Sequence, residues 1–569
     1  MNQDSSGGSN AEMELFDWPS LDNYGFEDLG LSTPLGHSIF GMEVDTNLAF
    51  PYFGGGLGGG GPMPRATSYL VEDIPCGVPP AADDGLQKPC RPLLQEDETS
   101  SSTRENSRSP SEPATESANL LQTFYRLSVP SAVPGFSDDD LVSHYFNNVC
   151  TLYSCFDSDL NPFRTLVAEQ WMDCKTTRLS IESMSVGHLA NFYPHMASLG
   201  LAKRSQAWLS LQHDLQLLRE GKQDTDRVLL CLLLQGLSST WHQASNLGLQ
   251  YLFVARGMIQ TRLQQHGRMA SHDKSSRNDN FFLDALLHWE MLASFVDPVP
   301  LLSLPGLKCP SLPIPGRQEG GVSPHPWTGV ASTLHFILAE VGRILRRHRY
   351  VASPNLDARR KEHLRSADEE WAAKLEGALV GAEMCEVEDV LDYGDARTPK
   401  IDLVRMARAY RYVGLLELYA HFPSLLQERV GNRTLPKDLI FLSMATDTMG
   451  YASDVDLRLT GIATHILDSI KPVSIISAAC RLLPLVLLSL ASQLRLPDST
   501  MDSQQYDEMI EARYFLEARM LTLSRKYAQR SVLQMMEIVK EVWSRLDSGT
   551  SGAHWMDVAH DRSWLTMFG

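Results

Sequence analysis

The chain has 569 residues, more than one hydrophobic core commonly serves, and is 43% hydrophobic and 21% charged. That balance excludes a wholly disordered chain. The nine cysteines are scattered among apolar runs, which suits buried thiols in a reducing compartment and not a disulfide scaffold. The formal charge of -19 is lopsided: residues 1–130 hold 19 Asp/Glu against 6 Lys/Arg, a balance of -13, leaving -6 for the other 439 residues. An acidic arm on a nearly balanced body excludes nucleic acid as the arm's own partner and suits basic or apolar-grooved proteins.

MNQDSSGGSN has neither the basic start nor the apolar centre of a secretory leader, and none is expected. Within residues 1–62, ELFDWPSLDNYGFEDLGL (Glu14 to Leu31) sets Phe16, Trp18, Leu21, Tyr24, Phe26 and Leu29 among five acidic side chains with no Lys or Arg. The apolar spacing is aperiodic and Pro19, Gly25 and Gly30 interrupt it, so no autonomous helix is expected. Acidic neighbours keep the rings solvated and apart, and an apolar groove with a basic rim lets short segments order and bury them. These six residues are therefore the candidate contacts of an activation segment with transcription coactivator machinery. The competing reading docks the same rings onto the chain's own body. FGGGLGGGGP (Phe53 to Pro62) reads as a flexible linker; no Lys-Ser/Thr follows it, so it is not a phosphate loop. Residues 63–130, rich in Ser, Pro and Glu, are expected to be disordered as well.

From residue 131 to 569 the texture changes, and the expectation is an all-α domain. Ser137 followed by Asp138, Asp139 and Asp140 marks a helix start, with carboxylates at the positive end of the dipole. Leu334, Ile337, Leu338, Val341, Ile344 and Leu345 keep one helical face, as do Val532, Met535, Met536, Val539, Val542, Trp543 and Leu546. Between Pro298 and Pro326 eight prolines forbid a continuous helix, and Ser353–Arg365 reads as a second, polar break. Val473 to Leu494 approaches the apolarity of a membrane span. Arg481 and Pro484 sit inside it, however, and a pair of buried helices is expected, with no membrane contact.

Catalytic and metal chemistry find no pattern. Cys76 and Cys90 stand alone before residue 140, and Cys150, Cys155 and Cys174 lie on apolar helical faces as core thiols. His188, His195, His242, His554 and His560 occupy no recognised catalytic motif, so no enzyme, cofactor or metal is expected. RILRRHRY places Arg343, Arg346, Arg347 and Arg349 opposite the apolar face just described. The plain reading is a solvated helix face; a nuclear-import signal or phosphate-contacting patch is the alternative.

Five segments in order resemble one family. They are SCFDSDLNPFRTLV (Ser154 to Val167), SIESMSVGHLAN (Ser180 to Asn191), LLCLLLQGLSSTWHQASNLG (Leu229 to Gly248), HPWTGVASTLHFILAEVGRILRRHR (His325 to Arg349) and KEVWSRLDSGTSGAHWMDVAHDRSWLTMFG (Lys540 to Gly569). They are similar to the regulatory, or middle-homology, domain of fungal zinc binuclear-cluster transcription factors. The resemblance implies a nuclear, non-enzymatic regulator with an all-helical body that takes part in dimerisation, commonly serving a dedicated gene set such as a biosynthetic, secondary-metabolite cluster. The paired C-x2-C-x6-C ligands of the family's DNA-reading module have no counterpart here, so neither direct DNA binding nor zinc ligation is implied. An activator that reaches DNA through a cluster-bearing partner is the leading expectation, with a zinc-cluster transcription factor or a second copy of the chain as the dimer partner. DNA contact through another surface, a module encoded upstream, or a cytosolic scaffold on the same body are the alternatives.

Overall fold

Ser137 begins the first described helix with both halves of a capping box. Its hydroxyl accepts the Asp140 N–H at 3.2 Å, and the Asp140 carboxylate accepts the Ser137 N–H at 2.9 Å. The computed structural model describes residues 136–567 apart from 267–273, 297–316, 319–320, 353–357, 432–438, 440–454, 497–502, 528–529 and 551. The six arm residues Phe16, Trp18, Leu21, Tyr24, Phe26 and Leu29 lie outside the described residues.

Helices dominate. α1 (Asp138–His144) passes through a π turn at Tyr145–Val149 into Cys150–Tyr153, and is followed by α2 (Pro162–Gln170), α3 (Lys175–Leu189), α4 (Ala197–Arg219), α5 (Thr225–Leu237), the short α6 (Ser239–His242), α7 (Leu249–His266) and α8 (Lys274–Val296). A two-residue hairpin pairs Arg317–Gln318 antiparallel with Gly321–Val322. Then come α9 (Ser332–Ala352), α10 (Ala358–Gly381), α11 (Lys400–His421), α12 (Pro423–Gly431) and α13 (Val455–Ile470). A 3-10 turn at Ala478–Leu482 leads into α14 (Leu483–Ala491), and α15 (Ser503–Tyr527), α16 (Arg530–Asp547) and α17 (Trp555–Asp561) close the chain.

The all-α expectation holds. The apolar faces decide what packs on what. α5 is buried from Val228 to Leu237 and α14 along its whole length, because both are apolar all round. α16 buries Ser531, Val532, Met535, Ile538, Val539 and Val542 on one face, as its period demands. Between these extremes lies α9, which packs against α8, α10 and α11 and brings Leu334, Ile337, Leu338, Val341, Ile344 and Leu345 into one continuous core. Each fully buried Leu or Ile there contributes about 2–3 kcal/mol before chain entropy is subtracted.

Two boundaries differ from expectation. The polar stretch Ser353–Arg365 is helical from Ala358 onward, because Arg, Lys and Glu are good helix formers even without an apolar face. Val473–Leu494 is a 3-10 turn feeding one α-helix and not two helices; Pro484 sits in the first turn of α14, where its missing N–H costs nothing. Among the described residues no helix is long and apolar enough to cross a membrane.

The closest approach in the core falls at Gly236, near the end of α5. A Cβ there would stand 1.9 Å from Cη2 of the buried Trp289 of α8. Gly236→Ala is expected to destabilise the protein by about 1–3 kcal/mol through forced overpacking, read as a lower urea midpoint at unchanged slope. An unchanged midpoint would show that Trp289 yields without cost.

Candidate functional site

The arginines of RILRRHRY are not a solvated face. Arg343 is 9% exposed; burial works against its charge, and Glu340 and Glu290 outweigh that and raise its pKa. Its guanidinium donates to Glu290 at 2.8 Å and to Glu340. Arg346 donates to the Ser294 carbonyl and Arg347 donates at 2.6 Å to Asp368, which is wholly buried. Arg349 reaches Asp557 at 2.6 Å and His554 at 2.7 Å. The face opposite the apolar stripe is covered by α8, α10 and the C-terminal segment, each of which supplies an acceptor. Periodicity reports which side of a helix is apolar; it does not report whether the other side is covered.

The same segment leads to a cluster no motif suggested. Glu417 and His421, four apart on α11, meet His554 at the start of α17, with their candidate ligand atoms within 4.8 Å of one another. The donor chemistry argues against a metal. His554 Nδ1 receives an N–H from Arg349 and, at 3.2 Å, the Met556 N–H, so it carries no proton. The ring proton therefore sits on Nε2 and is donated to Glu417 at 3.0 Å. Binding a cation through Nε2 would move that proton to Nδ1, against two donors. The cluster instead forms a hydrogen-bond chain from Arg349 through His554 to Glu417, which also accepts the Trp555 indole N–H at 3.1 Å. It ties the chain's last segment to α9 and α11.

A third arrangement joins two of the sequence segments singled out above. In His325–Gly329 the backbone N–H and C=O groups of the end residues pair reciprocally at 2.9 Å, and Gly329 takes φ +58°, which a side chain would strain. The Trp327 ring stacks on Phe163 at 4.6 Å, and its indole N–H donates to the Tyr153 carbonyl at 2.8 Å. The Cys155 N–H donates to the Pro326 carbonyl at 2.7 Å. Asn161 caps α2 through the Phe163 N–H at 3.0 Å, and Arg164 pairs with Asp157. Beside Tyr153 lies Arg481, on the turn before α14.

The other histidines named from sequence do not converge. His188 is buried 3.0 Å from His144, and His242 faces Ser183 at 3.0 Å between Gly187 and Gly200 of packed helices. His560 is exposed at the end of α17. Cys150, Cys155 and Cys174 are buried free thiols, as expected of core residues. Sequence reading passes over Glu290 and Glu417, and takes Arg481 only as a charge that argues against a membrane span. The available signal was a charged residue inside an otherwise apolar run, as in DALLHWEML and AACRLLPLV.

Two outcomes follow. Arg347→Met strands the Asp368 carboxylate in the core and is expected to cost about 3–5 kcal/mol in denaturant unfolding, most of it recovered by adding Asp368→Asn. Acid should also destabilise the fold. Burial, the largest influence, lowers His144 and His335 to about 4 and His188, His242 and His325 to about 3, from an ordinary 6.5. Below pH 6.5 the unfolded chain thus takes up protons that the folded chain refuses, and stability falls until the folded pKa values are passed. Asp284 opposes this: burial raises it to about 7, so its contribution is lost as pH rises toward 7. Five imidazoles outweigh one carboxyl, so Tm should drop between pH 7 and pH 5. A level profile would mean that these rings titrate within the fold.

Comparison with curated proteins returned no match, and neither did comparison with solved structures. The fungal-specific transcription factor domain matches residues 140–569, and no zinc-cluster domain was found. The matched span takes in the helical body and every cluster described above. The chain belongs to the fungal-specific transcription factor family, proteins of transcription regulation that are generally not enzymes.

Proposed function

We propose that the protein is a nuclear transcription activator of a dedicated gene set, a biosynthetic cluster being the kind expected, and that it reaches promoters through a DNA-binding partner. The observation that carries this is a family match over the whole helical body with no zinc-cluster domain found, beside an arm of -13 charge that DNA would repel. The burial of Arg343 and the pairing of Arg346, Arg347 and Arg349 inside the body supports an indirect contact, since those cations are spent on internal acceptors. They are equally withdrawn from an import receptor, so nuclear entry rests on another segment or on the partner. A cluster-bearing relative of the same family, docking by its own helical body, is the partner class proposed.

Activation is assigned to Phe16, Trp18, Leu21, Tyr24, Phe26 and Leu29, whose rings and branched side chains fit an apolar groove with a basic rim on a coactivator. Residues 1–60 fused to a foreign DNA-binding module should drive a reporter, and Trp18→Ala with Phe26→Ala should return it to within about twofold of background. A silent fusion, or one indifferent to those substitutions, would sink the assignment. Tagged full-length protein should give discrete promoter peaks in chromatin, with the partner's recognition sequence beneath them. Nuclear exclusion without peaks would favour a cytosolic scaffold.

A further inference from the structure

Arg481 breaks the pattern kept by other buried arginines. Arg256 and Arg343 have Glu290, Arg513 has Asp547, and Arg411 has the Leu379 and Val380 carbonyls. Arg481 is as deeply placed, at 5% exposed, yet among the described residues it pairs with no carboxylate and donates to no oxygen. It faces aromatic rings: the guanidinium carbon lies 5.9 Å from the centroids of both Tyr153 and Tyr527. Ring faces attract a cation weakly and cannot replace the water or counterion that burial removes. Burial accordingly pulls its pKa below the usual arginine range, opposed chiefly by Tyr527, Tyr153 and Tyr410.

The neighbouring cations do not relieve it. Lys526 donates to the carbonyls of Ile475 and Ser477, at 2.8 and 2.9 Å, and Arg519 to those of Val473 and Lys471, at 2.8 and 3.2 Å. Both come from α15 and brace the backbone just ahead of Arg481. Among the described residues no carboxylate pairs with either of them.

Unused polar atoms lie on Tyr527 and among the rings linked to Tyr153. The Tyr527 hydroxyl, His325 Nε2 and His335 Nε2 are buried without a hydrogen-bond partner. Their chemistry can be assigned. His325 Nδ1 accepts the Trp327 and Thr328 N–H groups at 3.1 and 3.2 Å, so Nε2 carries the proton, faced by the Phe281 carbonyl without a well-formed hydrogen bond. His335 Nδ1 donates to the Ala331 carbonyl at 2.8 Å, which leaves a lone pair on Nε2. These groups are linked ring to ring: His335 lies 4.7 Å from Tyr410 and 5.2 Å from His288, His288 lies 5.8 Å from Trp327, and Trp327 lies 5.1 Å from Tyr153. Tyr410 itself is committed to the Leu482 carbonyl at 3.0 Å.

We propose that Arg481 anchors a binding site for a small organic carboxylate, held by the guanidinium fork with its body against Tyr153 and Tyr527. A planar, two-pronged donor matches a carboxylate, and aromatic walls suit an apolar or aromatic body better than a hydrated inorganic ion. The Tyr527 hydroxyl supplies a further donor, and the His325 and His335 nitrogens offer a donor and an acceptor to a substituent. Occupancy would join α15, the turn before α14 and the segment after α1, which lie far apart in the chain. The site is independent of how the protein reaches DNA.

The test uses the full chain at constant ionic strength, with acetate, benzoate, 4-hydroxybenzoate and succinate as probes. Benzamide serves as the uncharged counterpart and sodium chloride as the ionic control. At least one carboxylate should raise Tm saturably, and benzamide and chloride should not. Arg481→Met should abolish that response while leaving the ligand-free Tm at or above wild type, because a cation without a counterion has been removed. Should Arg481→Met fail to fold, Arg481→Lys keeps the charge without the fork and should weaken half-saturation by about tenfold or more. Tyr527→Phe should weaken it severalfold with the fold intact. A wild-type Tm unmoved by all four carboxylates would overturn the proposal. So would a shift matched by chloride, or one undiminished in the Arg481 variant that folds.

Discussion

A carboxylate placed inside a protein must find a cation or a set of donors, and this body is assembled around that requirement. Glu290 of α8 receives Arg256 from α7 and Arg343 from α9. Glu376 of α10 receives Arg429 from α12 and the Tyr419 hydroxyl from α11. Glu182 of α3 holds Arg178 of its own helix and Lys203 of α4, and Lys203 also reaches Asp138 of α1. Glu417 of α11 takes His554 and Trp555 from the far end of the chain. Such pairs add little net stability over an apolar core of the same shape, since desolvation offsets the attraction. What they do is penalise any other pairing of helices. In a core lined with interchangeable Leu and Val, that penalty selects which helix lies beside which.

The same requirement governs what the body can offer to other molecules. A helix rich in arginine looks like a surface for phosphate until its partners are found within the fold. Here α9 is surrounded by α8, α10 and α11, and its cations answer carboxylates and carbonyls brought there by the chain itself. The cations of α9 are thus satisfied within the fold, and the strongly acidic, aromatic-bearing stretch of the chain is the arm at residues 14–31. The proposed division of labour, with the helical domain setting associations and the acidic arm meeting transcription machinery, is physically coherent. The first needs a fixed shape, whereas the second gains by ordering only on contact.

Against this background the exceptions carry information. Arg481 lacks the acceptor that its counterparts possess, and Tyr527 beside it and His325 and His335 among the linked rings keep unused hydrogen-bonding capacity. Buried polar atoms without partners are uncommon in folded proteins, and several in one run of rings imply either a standing cost or a guest that removes it.

Much of the architecture could be read from residue order. The helical class, the start at Ser137, the apolar faces of α9 and α16 and the burial of Val473–Leu494 follow from spacing and from chain-local chemistry, which needs no knowledge of neighbours. The resemblance carried by SCFDSDLNPFRTLV and HPWTG also gains a physical content, since Trp327 stacks on Phe163 and the Cys155 N–H meets Pro326. Other features depended on tertiary structure alone. Whether Arg343, Arg347 and Arg349 face water, whether Glu417 and His554 meet across more than a hundred residues, and whether Arg481 finds a counterion are decided by which elements come together. Sequence determines the charge a side chain carries and the face it occupies; only the fold determines what stands opposite, and for a buried charge that neighbour sets the energy.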